Sequence, residues 1–525
     1  MTAAQGCTMR SVADHAAAVF GDEPAIVEGD LVVTFDQYVA GARSVAARLV
    51  QRHDVVPGER VAIWAPNGAA WAVASLGVHL AGASLVPVNT RFEAPEVARV
   101  LRDAGVRVVF CAGHFLGRSY VSEVDELIRS GILPASVSCV ELDSVGALLA
   151  WSDAPSRVSA SRLPAVCPDD PATVLFTSGT TGRPKGAVLR HGALVEGYRT
   201  WSGLTGLRRG DRVMATNPFF HAFGLNAVLL GALVQGATVY PVAVFEPAKV
   251  LDALERHRIT YYPAPPTVFQ ELAREQQTRP RGVAFLRVCV TGATTIPPSL
   301  ISDLRDVLGF EDVFVPYGFT EATGLATITR RGDSLQTVMT TAGRPLPDIE
   351  VQVRRADGSC ASPGETGEIF VSGYVVMAGY LLPDGSITPP ALEADALASG
   401  DLGHLDTDGN LVISGRSKDM IISGGFNVYP AEVEIALREH PAIEDVSVIG
   451  VPDERLGEVG CAVVVATPGS VDARSLRRWA RGRLANFKIP RHVVLVDALP
   501  RNASGKVVKD RVVEQVRAVI TNKYG

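Results

Sequence analysis

The run Phe176-Thr-Ser-Gly-Thr-Thr-Gly-Arg-Pro-Lys-Gly186 gathers three glycines, four hydroxyls and a lysine into eleven residues. Gly179 and Gly182 permit tight turns and expose backbone N–H groups, and Thr177, Ser178, Thr180, Thr181 and Lys185 add donors. Together they suit a flexible wrap around a polyphosphate. The spacing is not that of a Walker loop, because Lys185 is followed by Gly186 and lies three residues after Gly182. A plain Ser/Thr/Gly surface loop is the competing reading. A second candidate is Lys506, which follows Asn502-Ala-Ser-Gly505, a flexible stretch able to carry an ammonium into a cleft. A third is His221, set in the uncharged, aromatic-rich segment Phe219–Phe223. It reads equally as a buried structural histidine or as a group at a substrate pocket.

Such groups must be held by regular elements. The phosphate-type loop leaves the apolar run Thr173–Leu175, and so leaves a strand. Thr34 and Gln37 have capping-box spacing ahead of a helical stripe through Tyr38, Val39, Ala42, Val45, Ala46, Leu49 and Val50. Short apolar runs at Val61–Trp64, Leu85–Val88, Val108–Cys111, Val288–Thr291 and Val313–Pro316 alternate with helix signals, among them Trp71–Leu80. That rhythm predicts α/β layers with largely parallel strands to about residue 330. Beyond it, Ile349–Val353, Glu368–Val371 and Leu411–Ser414, separated by Asp-Gly and Gly-rich turns, predict an antiparallel β portion. A helix opened by Pro430 and strands at Val446–Val451 and Cys461–Val465 predict a small α+β unit at the end.

The composition excludes several classes. In 525 residues the net charge is −6, which does not favour nucleic acid binding, and 47% hydrophobic against 20% charged residues excludes extensive disorder. Seven scattered cysteines without a CxxC pair indicate neither a zinc ribbon nor a disulfide framework, and fit a reducing cytoplasm. Residues 61–90 and 217–245 contain no Asp, Glu, Lys or Arg, but Pro66, Asn67, Gly82, Pro87, Pro218, His221, Gly224, Asn226 and Pro241 punctuate them. Each therefore reads as buried strand–helix–strand, not as a transmembrane span. From residue 418 onward 16 Lys/Arg face 13 Asp/Glu, whereas residues 1–417 carry 34 against 43.

The loop does not stand alone. Pro218-Phe-Phe-His-Ala-Phe-Gly224, Tyr317-Gly-Phe-Thr-Glu321, Gly343-Arg-Pro-Leu-Pro347, Gly364-Glu-Thr-Gly-Glu368, Ser399-Gly-Asp401, Gly415-Arg-Ser-Lys-Asp419 and Pro500-Arg-Asn-Ala-Ser-Gly-Lys506 follow it in order. This series, over nearly the whole chain, resembles the adenylate-forming enzymes: acyl- and aryl-CoA synthetases, luciferases and the adenylation domains of peptide synthetases. The narrower likeness is to actinobacterial ligases of fatty acids or of ring-bearing propanoates from steroid breakdown. Three details depart from the common pattern. The run Ala394-Asp-Ala-Leu-Ala-Ser-Gly-Asp401 lacks the Gly-Trp pair that often precedes this motif. Ser399 stands for a threonine, and Thr291-Gly-Ala-Thr-Thr replaces Gly-Gly-Ala-Pro.

The resemblance implies an α/β fold. Residues 1–417 would form a large multi-layer N-terminal adenylation domain with two α/β subdomains and a β-rich subdomain, and 418–525 a small mobile α+β lid. It implies ATP and Mg²⁺ as requirements and CoA as co-substrate. Glu321 and Thr177 would hold the metal, and Lys506 would bridge carboxylate and α-phosphate. Ser178, Gly179, Thr180, Thr181, Gly182 and Lys185 would wrap the phosphates. Asp401 and Arg416 would bind ribose; Tyr317, Gly318, Thr320, Gly292 and Ala293 would line the adenine pocket. His221 would stand at the acyl wall, not as a base, since a carboxylate needs no deprotonation near neutral pH. Lys418 would be the hinge, with Gly424 and Gly425 along the pantetheine tunnel.

The expected reaction joins an apolar acid, fatty or alicyclic, to CoA through acyl-AMP. The absence of an Asp between Thr216 and Phe245 speaks against amino-acid substrates. Transfer to an acyl-carrier-protein thiol, and a membrane-associated fatty-acid uptake protein, are the alternatives. The chain is expected to be cytoplasmic, with peripheral membrane contact open, and monomeric or homodimeric.

Overall fold

The computed structural model describes residues 7–142, 163–177, 184–292, 296, 298–423, 426–453, 455–467, 469–481, 483–502 and 506–524. Its larger part is built on two mostly parallel sheets that share one apolar core. The first sheet runs in the order Ile387–Thr388, Gly379–Leu381, Lys185–Arg190, Pro171–Thr177, Ser84–Pro87, Arg60–Trp64, Val106–Cys111, Ser138–Glu141. The second runs Asp312–Phe314, Val288–Val290, Tyr261–Pro263, Arg212–Ala215, Thr238–Pro241, Pro24–Glu28, Leu31–Thr34. Buried on both faces, their central strands need continuous apolar side chains, and Val61, Ala62, Ile63 and Trp64 are all sealed from water.

The capping box forms as expected: Thr34 accepts from the Gln37 amide at 3.2 Å and Gln37 accepts from the Thr34 amide at 3.0 Å, opening the helix Phe35–Arg52. Residues 61–90 fold as strand, helix Ala69–Leu80 and strand. Residues 217–245 differ from expectation. The leading strand, Arg212–Ala215, lies before them, and the apolar stretch forms the π-helix Phe223–Leu230, the helix Gly231–Gln235 and one strand. Among the described residues no helix is long and apolar enough to cross a membrane.

The strands to residue 330 are largely parallel as expected, with antiparallel pairs at the edges, among them Pro24–Glu28 on Leu31–Thr34. Lys185–Arg190 returns antiparallel on Pro171–Thr177, and Gly379–Leu381 adds antiparallel beside it. A short hairpin connection permits only antiparallel return, which run-by-run hydrophobicity does not reveal. The antiparallel β portion is present: Ile349–Arg354, Gly367–Gly373, Ala396–Leu405 and Leu411–Arg416 pair in sequence. A last sheet of Ile421–Ser423, Phe426–Val428, Ile443–Asp453, Gly457–Ala466 and His492–Leu495 carries apolar clusters on both faces. Helices Pro430–Arg438 and Ala473–Arg481 cover one face, and Lys509–Tyr524 the other.

Candidate active site

The side chains singled out in the sequence come from several elements, and hydrogen bonds and ion pairs join them in groups. The strand Pro171–Thr177 ends at Thr177, which therefore stands at a sheet's carboxyl edge, where open α/β sheets bind ligands. Its hydroxyl donates to Glu321 Oε1 at 3.4 Å. Glu321 sits in the single turn Thr320–Ala322, and Oε1 also accepts from the Tyr380 hydroxyl at 2.9 Å. Two hydroxyl donors thus steady one carboxylate oxygen. Glycine at 318 is dictated by packing, because a Cβ there would stand 2.2 Å from the Gly324 carbonyl oxygen.

A second group forms where the β portion meets the short antiparallel strand Pro316–Tyr317. Asp401 and Arg416 are register partners on adjacent strands, with Arg416 Nε 3.2 Å from Asp401 Oδ1. The Tyr317 hydroxyl donates to Asp401 Oδ2 at 2.7 Å. Asp401 is 8% exposed, so Arg416 and Tyr317 at its two carboxylate oxygens compensate for its burial. Its backbone amide separately donates to Ser399 Oγ at 3.0 Å. Serine at 399 therefore retains a hydroxyl where the family pattern has threonine. Burial, and next the negative charge of Asp401, push the Tyr317 phenol well above its ordinary range, so it stays a donor. Gly292 is buried against Pro316, whose carbonyl oxygen would lie 2.9 Å from an added Cβ.

His221 begins the apolar wall. It is half-buried, and its Nδ1 accepts from the Phe223 amide at 3.2 Å. Burial, then the charge of Lys506, lower its pKa to about 4, so the ring is neutral near pH 7. A Cβ on Gly224 would meet the Pro218 carbonyl oxygen at 2.2 Å, which explains the glycine in this tight entry to the π-helix. Asn67, which punctuation alone marked, is a clamp. Its amide donates to the carbonyls of Ala215 and Asn217 at 3.1 and 2.8 Å and accepts from the Phe219 amide at 2.8 Å. One buried side chain of the first sheet's layer thereby fixes the His221 segment of the second. Trp71 packs on Phe219 from the same side, ring centres 5.4 Å apart.

Lys506 lines the cleft from the C-terminal unit. Its side chain keeps contact with solvent, yet protein surrounds it closely enough that desolvation, then the charge of Arg416, lowers its pKa, while Asp401 and Asp419 oppose that shift. Its charge is felt both at His221 and at the Asp401–Arg416 pair. Lys418 is exposed in the turn Ser417–Asp419, and its charge also acts, as the weakest cause, to lower the pKa of Lys506. Lys185 is exposed, with Nζ 5.2 Å from the centre of the Tyr380 ring. Ser178, Gly179, Thr180, Thr181, Gly182, Ala293, Gly424 and Gly425 lie outside the described residues. Neither Tyr380 nor Asn67 had a sequence signal as a site residue, since one is a lone strand tyrosine and the other a loop asparagine.

The donor set fits a magnesium ion beside phosphate. Glu321 and Thr177 offer hard oxygens on neighbouring elements. Among the described residues no cluster of three or more His, Cys, Asp or Glu side chains forms a closed metal cage, so further ligands would come from phosphate and water.

Comparison with known proteins agrees with the motif series. The AMP-binding enzyme family matches residues 13–381, and the AMP-binding enzyme C-terminal domain matches residues 432–506. A 3-[(3aS,4S,7aS)-7a-methyl-1,5-dioxo-octahydro-1H-inden-4-yl]propanoyl:CoA ligase of Rhodococcus jostii (strain RHA1) is 42% identical over 518 residues, covering 96% of this chain and 98% of that protein. The ligase of the same name from Mycobacterium tuberculosis is 41% identical, covering 97% and 98%. The structure of o-succinylbenzoate CoA synthetase from Bacillus subtilis, in complex with its acyl-adenylate intermediate, superposes with a TM-score of 0.81 at 30% identity, covering 95% of this chain and 97% of that one.

Proposed function

The chain belongs to the AMP-binding enzymes and is an ATP-dependent, AMP-forming acyl-CoA ligase, and from that premise we propose that its acid is a propanoate carried on an apolar alicyclic ring system. The relatives named for such a substrate support this, as does the wall from Phe219 to Leu233, which carries no charged side chain. In the first half-reaction a carboxylate oxygen bonds to the α-phosphorus of ATP. The bond from that phosphorus to the bridging oxygen breaks, and pyrophosphate departs with the electron pair. Two anions meet, so the protein's task is charge neutralisation and alignment.

The observation that carries this reading is the Asp401 carboxylate braced by Arg416 Nε at 3.2 Å and by the Tyr317 hydroxyl at 2.7 Å, with Lys506 close enough for its charge to lower the pKa of His221. On this reading the ammonium spans the attacking carboxylate and the α-phosphate. Asp401, braced by Arg416 and Tyr317, accepts from the ribose hydroxyls, while Tyr317, Gly318, Thr320, Gly292 and Ala293 border adenine. Ser178, Gly179, Thr180, Thr181, Gly182 and Lys185 wrap the phosphates. His221, neutral at working pH, closes the wall between acid and nucleotide and removes no proton. Glu321 and Thr177 would hold Mg²⁺, which supplies charge neutralisation on the phosphate oxygens when bound.

In the second half-reaction the CoA sulfur bonds to the acyl carbon and the bond to AMP breaks. Lys506 occupies the approach, so residues 418–525 swing about Lys418 relative to residues 1–417, bringing Gly424 and Gly425 to the pantetheine path. The scattered cysteines support a cytoplasmic setting. The test is a panel of acids with ATP, Mg²⁺ and CoA, products identified by mass spectrometry. Alicyclic propanoates should give acyl-CoA, AMP and pyrophosphate with the largest kcat/KM. A clear preference for straight long-chain acids would refute the substrate proposal, and loading of a carrier-protein thiol without any CoA thioester would refute the acceptor.

A further inference from the structure

Strand alternation assembles a group that the scheme above leaves partly unused. On the antiparallel edge of the first sheet, Thr177 stands directly opposite Lys185, and Tyr380 directly opposite Ala187, two residues further along. Side chains two apart share a face, so Thr177, Lys185 and Tyr380 all project to one side. The turn bearing Glu321 is tied to this edge, because the Met377 amide donates to the Glu321 carbonyl at 2.9 Å. Tyr380 then makes two contacts at once. Its hydroxyl donates to Glu321 Oε1 at 2.9 Å, and Lys185 Nζ lies 5.2 Å from its ring centre. An ammonium at that distance over a phenol face is held by the ring quadrupole.

We propose that Tyr380 is the positioning residue of the adenylation step: its hydroxyl sets the rotation of Glu321 for Mg²⁺, and its ring holds Lys185 against the phosphates. The proposal rests on the reading of Glu321 as the metal-holding carboxylate. A glutamate has three rotatable side-chain bonds and a lysine four, so each is scattered over many rotamers unless something restrains it. Tyr380 restrains both from one rigid ring.

The test measures Mn²⁺ affinity by electron paramagnetic resonance in the enzyme–ATP mixture, and ATP affinity by calorimetry, for Tyr380→Phe, Tyr380→Ala and Glu321→Gln. Tyr380→Phe keeps the ring and loses the hydroxyl. It should weaken Mn²⁺ about tenfold, the order of one charge-assisted hydrogen bond, with metal-free ATP affinity unchanged. Tyr380→Ala should weaken ATP as well, since Lys185 loses its platform. Both variants should convert supplied acyl-AMP and CoA to thioester at the parent rate. Glu321→Gln should lose Mn²⁺ more severely than either. Parent-like Mn²⁺ affinity in Tyr380→Phe, with loss in Glu321→Gln, would overturn the proposal and leave the metal reading standing. Parent-like affinity in Glu321→Gln would sink the metal reading itself. Equal loss of both half-reactions in Tyr380→Phe would assign the tyrosine a structural role and also overturn the proposal. If Tyr380→Ala does not fold, Tyr380→Phe against Glu321→Gln still decides.

Discussion

Lys506→Ala removes the ammonium that joins the two ends of the cleft. In a partly desolvated cleft with an effective dielectric constant near 20, opposite unit charges ~4 Å apart attract by about 4 kcal/mol. Loss of one preorganised donor commonly slows a reaction by about 10²–10³-fold. The expected result is thus a fall of about 10³-fold in pyrophosphate release from ATP and acid. Thioester formation from supplied acyl-AMP and CoA should stay within about twofold if, as proposed, Lys506 acts only in the first orientation of the C-terminal unit. Following pyrophosphate in one assay and acyl-CoA in the other separates the two steps. The pH profile adds a second check. Desolvation and Arg416 hold Lys506 below its usual 10.5, so the charged form is lost earlier as pH rises than for a free lysine. For the parent, kcat/KM for ATP should fall on the alkaline side through that lowered pKa, and Lys506→Arg, permanently charged, should lose this limb. An equal drop in both half-reactions of Lys506→Ala, or an identical alkaline limb in Lys506→Arg, would refute the reasoning.

Lys418→Pro fixes the backbone φ at the exposed turn Ser417–Asp419, and should leave adenylation largely intact while blocking transfer to CoA; parent-like overall turnover would rule out a hinge at this residue. On the acid side, burial lowers the pKa of His79 to about 3 and of His191 to about 4, both below the unfolded value of 6.5. Between pH 6.5 and about 4 the unfolded chain binds these protons and the folded one does not. Stability is therefore full above 6.5 and should decline by up to about 1.4 kcal/mol per pH unit for each histidine as pH falls. Urea unfolding across that range measures the slope, and His191→Gln should flatten it.

Much of the site is written locally. The phosphate-type loop, the Thr34–Gln37 cap and the glycines at 224 and 318 reflect constraints that act within a few residues. Those constraints stay visible as residue type and spacing. The motif series likewise preserved the order of Thr177, His221, Glu321, Asp401, Arg416 and Lys506 along the chain. It did not reveal Asn67, whose three hydrogen bonds all reach residues about 150 positions away. Nor did it reveal the antiparallel return of Lys185–Arg190, since a buried strand is apolar whichever way it runs.

Residue type alone thus determined which chemical groups the chain carries: hydroxyl and ammonium donors, a hard carboxylate at Glu321 and an uncharged apolar stretch from Phe219 to Leu233. Tertiary structure alone decided which groups meet. Tyr380 gained a role only when its strand paired beside Lys185 with the Glu321 turn above it. The physical reason is that hydrogen bonds and charge–ring contacts act over a few ångströms in space, whatever the separation in sequence. Pairing register, which no single strand encodes, sets those distances.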